Sequence, residues 1–383
     1  MTTIIKAADA AEFLSLVPRM LGYQPAESLV MIPFAGARSL GALRFDVPGD
    51  DESVDSIAAT VLGMVCRLPE ADAVAAVVYS AAEFAGGGMP HQALLAAVER
   101  RADTCGLRTT DALCVAADGW GSRYDPALPA GGRPLAELDV LPEGADAVPP
   151  ALGDQSDGAT LPEVGLLRAE RVGRALRAFD RAVELLCGED DRARTAGEAS
   201  VDDDRVDPTA LATVCHLDDL PALFEDALAW HPDDLTPYQS AALAWCLSRP
   251  SLRDVALVQW TGTMDDGDEA FEAQLRWESG EEYPVHLAMR LWGDGDRPDV
   301  ERLERALTLA RHVAAEAPRT SKPGPLAMCA WLSWALGRST HADRYAAEAC
   351  AIEPEHGLSE IVRSFVHAGH LPDWAFRRSS GAR

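Results

Sequence analysis

Leu21-Gly22-Tyr23-Gln24-Pro25-Ala26-Glu27-Ser28-Leu29-Val30 is the stretch on which the fold turns. Upstream of it, Phe13, Leu16, Val17 and Met20 recur at helical spacing and Asp9 stands where it can cap. Residues 7–21 therefore read as a helix, which Gly22 can end in a left-handed conformation. Downstream, Leu29, Val30, Met31 and Ile32 open an apolar strand that runs to Phe34. Ala35-Gly36-Ala37-Arg38 turns the chain, and Gly41 to Val47 alternates as a returning strand. The stretch thus carries the chain from helix to hairpin through one tight turn. That turn holds an aromatic, a carboxylate and a hydroxyl (Tyr23, Glu27 and Ser28), and loops on a rigid scaffold are where such groups meet ligands.

The same reading extends outward. Val54 to Leu68 is a helix, with Val54, Ile57, Val61, Met64 and Val65 on one side. Ala73 to Tyr79 is rich in valine and fits a buried strand. Gly86-Gly87-Gly88 follows it, His91 to Cys105 is helical, and Asp111 to Ala117 is another strand. Asp118-Gly119 is a hairpin turn, after which Trp120 to Tyr124 returns. This order implies an α/β domain with a mixed sheet over about residues 1–150.

With its preceding helix, and with Arg44-Phe45-Asp46-Val47-Pro48 after it, the opening turn resembles the start of domain-of-unknown-function family 4192. The resemblance implies an actinobacterial setting and supplies no activity, cofactor or catalytic residue. Proteins resembling that family often place cysteines after the Trp-Ser strand. Tyr124-Asp125-Pro126-Ala127-Leu128-Pro129 contains none, which argues against a metal or redox role built there.

Pro126 to Pro162 is rich in Pro, Gly and Asp and reads as an extended crossing. Residues 162–187 form a long amphipathic helix, and Glu189 to Asp207 an acidic linker, so 151–207 reads as a connecting region. Beyond it, 208–383 reads as a helical domain, with helices over 208–229, 236–248, 251–261, 268–278, 283–291, 298–317, 323–337, 339–352 and 357–368. Eight of the nine tryptophans fall there, as expected of large aromatics wedged between helices. Ala330, Gly337, Ala342, Ala349 and Pro354 have the spacing of one tetratricopeptide-like hairpin. Leu326 and Ser333 stand where that pattern usually has aromatics. A single repeat cannot bury its own faces, so the hairpin belongs to a larger bundle.

The net charge of −27 opposes binding to duplex phosphates or an anionic membrane over the whole surface. Lys6 and Lys322 are the only lysines. Eight cysteines without a Cys-x-x-Cys pair read as reduced, buried thiols, and no signal segment or membrane-length apolar run is present. The expected location is the cytoplasm.

No catalytic constellation, cofactor motif or metal pattern stands out. The ligand-binding candidates are Tyr23, Glu27, Ser28, Arg44, Asp46, Asp118 and Trp120; of these, Arg44, Asp46, Asp118 and Trp120 line one end of the sheet if the two hairpins share an edge. Ser28 lacks the surroundings of a nucleophile elbow, and the sequence nominates no histidine for it, His91 included. The acidic runs Asp265, Asp266, Asp268, Glu269 and Asp294, Asp296, Asp299 lack the calcium-loop pattern. Arg168, Arg171 and Arg174, with Arg177 and Arg181, put positive charge on one helix and are the candidates for an acidic partner. Two expectations follow. One is a non-catalytic scaffold that binds an unidentified protein through its helical domain. The other is a small-molecule-binding module or enzyme with a pocket near Tyr23, Ser28, Asp46 and Trp120.

Overall fold

The computed structural model describes residues 5–49, 53–84, 88–187 and 206–377. The chain divides into two compact units, Met1–Gly158 and Ala159–Arg383.

The first unit is a mixed sheet between helices. Its elements are α1 (Ala10–Leu21), β1 (Ser28–Ala35), β2 (Arg38–Ser39), β3 (Leu43–Asp46), α2 (Val54–Val65), β4 (Ala73–Tyr79), α3 (Gln92–Thr104), β5 (Arg108–Val115) and β6 (Trp120–Ser122). β1 pairs antiparallel with β2 and β3 along one side and with β4 along the other. β4 pairs parallel with β5, and β5 antiparallel with β6. Every residue of β4 is buried, which is why it reads as a continuous apolar run instead of an alternating one.

Alternation in the flanking strands separates two apolar layers. Leu29, Met31, Val74, Ala76, Val78 and Cys114 face α2 and α3. Val30, Ile32, Val77, Tyr79, Leu113 and Trp120 face Leu14 and Val17 of α1. The α1 boundaries follow local chemistry: the Asp9 carboxylate accepts from the Glu12 amide at 2.9 Å, and Gly22 takes φ +83°.

The segment read as an extended crossing wraps back on the opening turn. Gln24 N–H donates to Gly153 O, and the Gln155 side chain bonds both the amide and the carbonyl of Ala26. Arg19 reaches the Val148 carbonyl at 2.7 Å. Short 3-10 turns at Leu135–Asp139, Ala145–Ala147 and Asp157–Ala159 break up this stretch.

The second unit is helical: α4 (Leu166–Cys187), α5 (Pro208–Val214), α6 (Leu220–Ala229), α7 (Pro237–Leu247), α8 (Pro250–Thr261), α9 (Met264–Glu278), α10 (Val285–Leu291), α11 (Val300–Glu316), α12 (Pro323–Ala335), α13 (Ser339–Cys350) and α14 (Gly357–His367). The helix expected over 208–229 is two, because Asp219 caps a new start against the Ala222 amide and Pro221 cannot continue the old one. The long helix α4 packs on α7 within this unit. Most of the acidic linker, 188–205, lies outside the described residues.

Indoles hold the helices together. Trp260, Trp331, Trp334 and Trp374 are buried, and their N–H groups donate to the carbonyls of Phe224, Leu291, His370 and Ala335. The α12–α13 hairpin turns at Gly337 (φ +78°), and Ala330, Ala342 and Ala349 are buried in it. Leu326 and Ser333, the departures from the repeat pattern, are fully buried, as core positions would be.

No helix among the described residues is long and apolar enough to cross a membrane. The cysteines divide differently from the uniform burial expected of them. Cys114, Cys246 and Cys329 are buried, but Cys66, Cys105, Cys187 and Cys215 are exposed, because each of these four sits where a helix ends or frays.

Candidate functional site

Strand register brings most of the ligand-binding candidates to one end of the sheet. Asp46 pairs with Ser28, Ser28 with Tyr79, Tyr79 with Val115, and Val115 with Trp120. The five form a row across the carboxyl ends of β4 and β5, all on the α1 face, about 19 Å long at ~4.8 Å per strand. The two hairpins therefore do share a sheet edge, and they lie at its opposite ends.

At the β1–β3 end the polar groups satisfy one another. Ser28 is fully buried; its hydroxyl donates to Ala26 O at 2.7 Å and accepts from Arg44 Nε at 2.8 Å. The Arg44 guanidinium also donates to Asp46. Burial raises the Tyr23 phenol above its ordinary range; the Arg44 charge opposes this and the Asp46 charge adds to it. Glu27 sits at φ +42°. Its carbonyl accepts from Val47 N–H, and its carboxylate accepts from the amide of Ala81, just beyond β4.

At the β5–β6 end, Asp118 accepts from Phe84 N–H at 2.8 Å, so it holds the same loop from the other side. A Cβ on Gly119 would come within 2.7 Å of Gly131 O, so the turn needs glycine for close approach of the 131–133 segment. Trp120 exchanges backbone hydrogen bonds with Arg133, whose guanidinium lies 5.9 Å from the ring centroid. The indole nitrogen of Trp120 and the hydroxyl of Tyr79 are buried, with no hydrogen-bond partner among the described residues.

A crevice of about 450 Å³ opens beside Trp120, on the α1 face. Asp9, Asp111, Ser122, Asp125, Arg133 and Glu137 line it, with Tyr124. Its carboxylates are largely engaged. Asp111 takes the Ser122 hydroxyl and the Ala112 amide. Asp125 takes Arg133 at 2.7 Å, and that bond holds its carboxyl below the ordinary range. Asp9 caps α1.

The loop that Glu27 and Asp118 hold carries a pair absent from the sequence reading. Ser80 Oγ lies 3.1 Å from His91 Nε2. Ser80 is the first residue after β4, and His91 is the residue before α3, in a left-handed conformation (φ +53°). Both are half-buried. The hydroxyl also accepts from Ala82 N–H at 3.2 Å, and His91 makes no side-chain cap to its own helix. Of the glycine run between them, Gly88 is described and turns at φ +83°, whereas Gly86 and Gly87 lie outside the described residues. The signal that would have found the pair is the exit of a parallel strand into a helix start, the usual ligand edge of α/β sheets.

The arginine helix divides by role. Arg168 is bidentate on Glu316 and donates to Leu235 O, which makes it an internal tie and removes it from the partner-facing set. Arg171 and Arg174 are exposed, with Arg174 3.8 Å from Glu170. In the acidic runs, Asp266 caps α9 and pairs with Arg290, Glu269 bonds His286, and Asp294 pairs with Arg377. No group of three His, Cys, Asp or Glu among the described residues has the geometry of a metal site.

No curated protein and no solved structure matches the chain. One family model does, described as a domain of unknown function (DUF4192), and it matches residues 11–373. That span takes in α1, the whole sheet with its carboxyl-edge row, and the helical unit to Asp373, so the chain belongs to this family over nearly its full length.

Proposed function

We propose that the α/β unit is a small-molecule-binding module whose ligand contacts Ser80 and His91 at the carboxyl edge of β4. One observation carries the reading: Ser80 Oγ lies 3.1 Å from His91 Nε2 beside a loop that Glu27 holds at the Ala81 amide and Asp118 at the Phe84 amide. Ser28, Arg44 and Asp46 bond one another, and Asp111 and Asp125 of the crevice bond Ser122, Arg133 and backbone amides. Those groups position the edge; the Ser80–His91 pair faces outward chemistry. A hydroxyl beside an imidazole suits a neutral or anionic polar group, and with a carbonyl substrate it is the geometry of a nucleophile and its base.

The test is a native mass spectrum of the full chain purified gently from its host, alongside Ser80→Ala and His91→Ala. A small adduct in the parent that both variants lose supports the site. An adduct that both variants keep moves the ligand elsewhere. Labelling of Ser80 by a fluorophosphonate, lost in His91→Ala, extends the reading to acyl transfer.

A second reading, partner binding by the helical unit, draws on α10. Val285, Met289 and Trp292 are exposed at helical spacing, which presents an apolar stripe suited to an amphipathic helix. A protein companion at fixed stoichiometry that Met289→Asp and Trp292→Asp both release supports it; one that survives both does not.

A further inference from the structure

We infer that the crevice beside Trp120 binds a hydroxylated organic cation, at a site separate from the Ser80–His91 pair. Asp9, Asp111, Asp125 and Glu137 line the crevice against one guanidinium, that of Arg133, a formal surplus of three negative charges. A crevice walled by low-dielectric protein focuses such a surplus and concentrates cations. The carboxylates are spread between the start of α1, β5 and the 125–137 segment, and they form no metal-type group among the described residues. An extended organic ammonium matches that spread better than a compact ion. The volume of about 450 Å³ falls in the range that small organic ligands occupy.

The walls are oriented in advance. Ser122 is buried; its hydroxyl donates to Asp111 and accepts from the Tyr124 amide at 3.0 Å. Asp111 takes that hydroxyl and the Ala112 amide on Oδ1. Asp125 takes the Ala127 amide on Oδ1 and Arg133 on Oδ2. A carboxylate offers about four lone-pair sites, so these bonds fix the groups without saturating them, and an ammonium can share them. Aromatic rings stand beside the carboxylates. The Arg133 guanidinium already lies 5.9 Å from the Trp120 ring centroid, and the half-exposed Tyr124 lines the same crevice. Trp120 adds a second demand. It is 5% exposed and lines the crevice, yet its indole nitrogen has no hydrogen-bond partner among the described residues. A buried N–H without an acceptor costs free energy. An ammonium cannot satisfy it, because both are donors; a hydroxyl oxygen on the same ligand can. Carboxylates that want a cation and an indole that wants an acceptor together select an amino alcohol or amino sugar over a bare polyamine.

The experiment titrates the full chain with N-methylglucamine, an ammonium bearing a chain of hydroxyls, by calorimetry and by thermal shift. Sorbitol carries the hydroxyls without the charge, methylammonium the charge without the hydroxyls, and gluconate the opposite charge. N-methylglucamine should bind saturably and more tightly than any of the three, raise the melting temperature, and weaken as salt rises. Glu137→Gln, at a half-buried position in a short 3-10 turn, should weaken it about two- to five-fold, and Trp120→Phe about two- to ten-fold. Glu137→Gln keeps the result readable if Trp120→Phe fails to fold. Ser80→Ala with His91→Ala should leave the affinity unchanged, which separates this site from the one proposed above. N-methylglucamine bound no better than sorbitol, or bound equally by the parent and Glu137→Gln, overturns the inference; so does binding that Ser80→Ala with His91→Ala abolishes.

Discussion

Glu27 and His91 are the non-glycine residues with positive φ among the described residues, and both bond the loop that leaves β4. A left-handed histidine costs about 1 kcal/mol, and such strain persists where the surroundings enforce it. His91→Gly should therefore be more stable than His91→Ala by about 1 kcal/mol in urea unfolding, since both lose the ring but only glycine relieves the backbone. Equal midpoints would mean that the backbone there is unstrained. At the other end of the row, Ser28→Ala strips an acceptor from Arg44, whose side chain is only 9% exposed, and should cost about 1–3 kcal/mol. Asp46→Asn touches the same arginine from a side chain that is 83% exposed, and should cost under about 1 kcal/mol. The ranking of the two midpoints decides the matter. The sequence nominated Ser28, Arg44 and Asp46 because turn chemistry is local and readable. It passed over Ser80 and His91 because they lie eleven positions apart, with a glycine run between them. Only strand register and the docking of α3 bring the imidazole back over the strand end.

Elements were legible where their cause is local. The valine run gave β4 to the residue, and Asp9 and Gly22 bounded α1, because alternation, periodicity and caps are written within a few residues. The clamp of Gly153 and Gln155 on the opening turn was not legible, since it joins positions about 130 apart through backbone groups that any sequence offers. Close helix approach is equally hidden, and Gly324 shows it. A Cβ there would lie 2.5 Å from Leu247 O and 2.6 Å from Ser248 Cα. Both neighbours are backbone at the end of α7, so no rotamer change makes room. Gly324→Ala should cost about 1–3 kcal/mol by forcing α12 from α7, despite alanine's better helix propensity. Gly337→Ala meets open space but φ +78°, and should cost about 1 kcal/mol through the backbone alone. Circular dichroism melts of the two variants separate crowding from strain: a Gly324→Ala chain as stable as the parent would refute the close contact.

At the scale of the whole molecule, two pH-dependent effects oppose each other. A net charge of −27 repels itself, so added salt should raise the melting temperature, and mild acid should relieve the same repulsion. Burial works against acid in the helical unit. It lowers the His312 and His356 imidazoles below their ordinary 6.5, with Asp233 and Glu316 opposing at His312, and Glu353 at His356. The sign follows from the direction. Above pH 6.5 both rings are neutral whether folded or not, and their full contribution is present. As pH falls below 6.5 the unfolded chain binds protons first, and stability drains until the folded rings also titrate, at most about 1.4 kcal/mol per pH unit for each ring. In high salt, where charge repulsion is screened, unfolding free energy should therefore fall from pH 7 to pH 5. His312→Gln with His356→Gln should flatten that fall. In low salt the relief of repulsion should offset part of it, making the pH profile shallower than at high salt. A profile with the same slope in the double variant as in the parent would assign the acid loss to other groups, and would leave these two imidazoles without influence on folding.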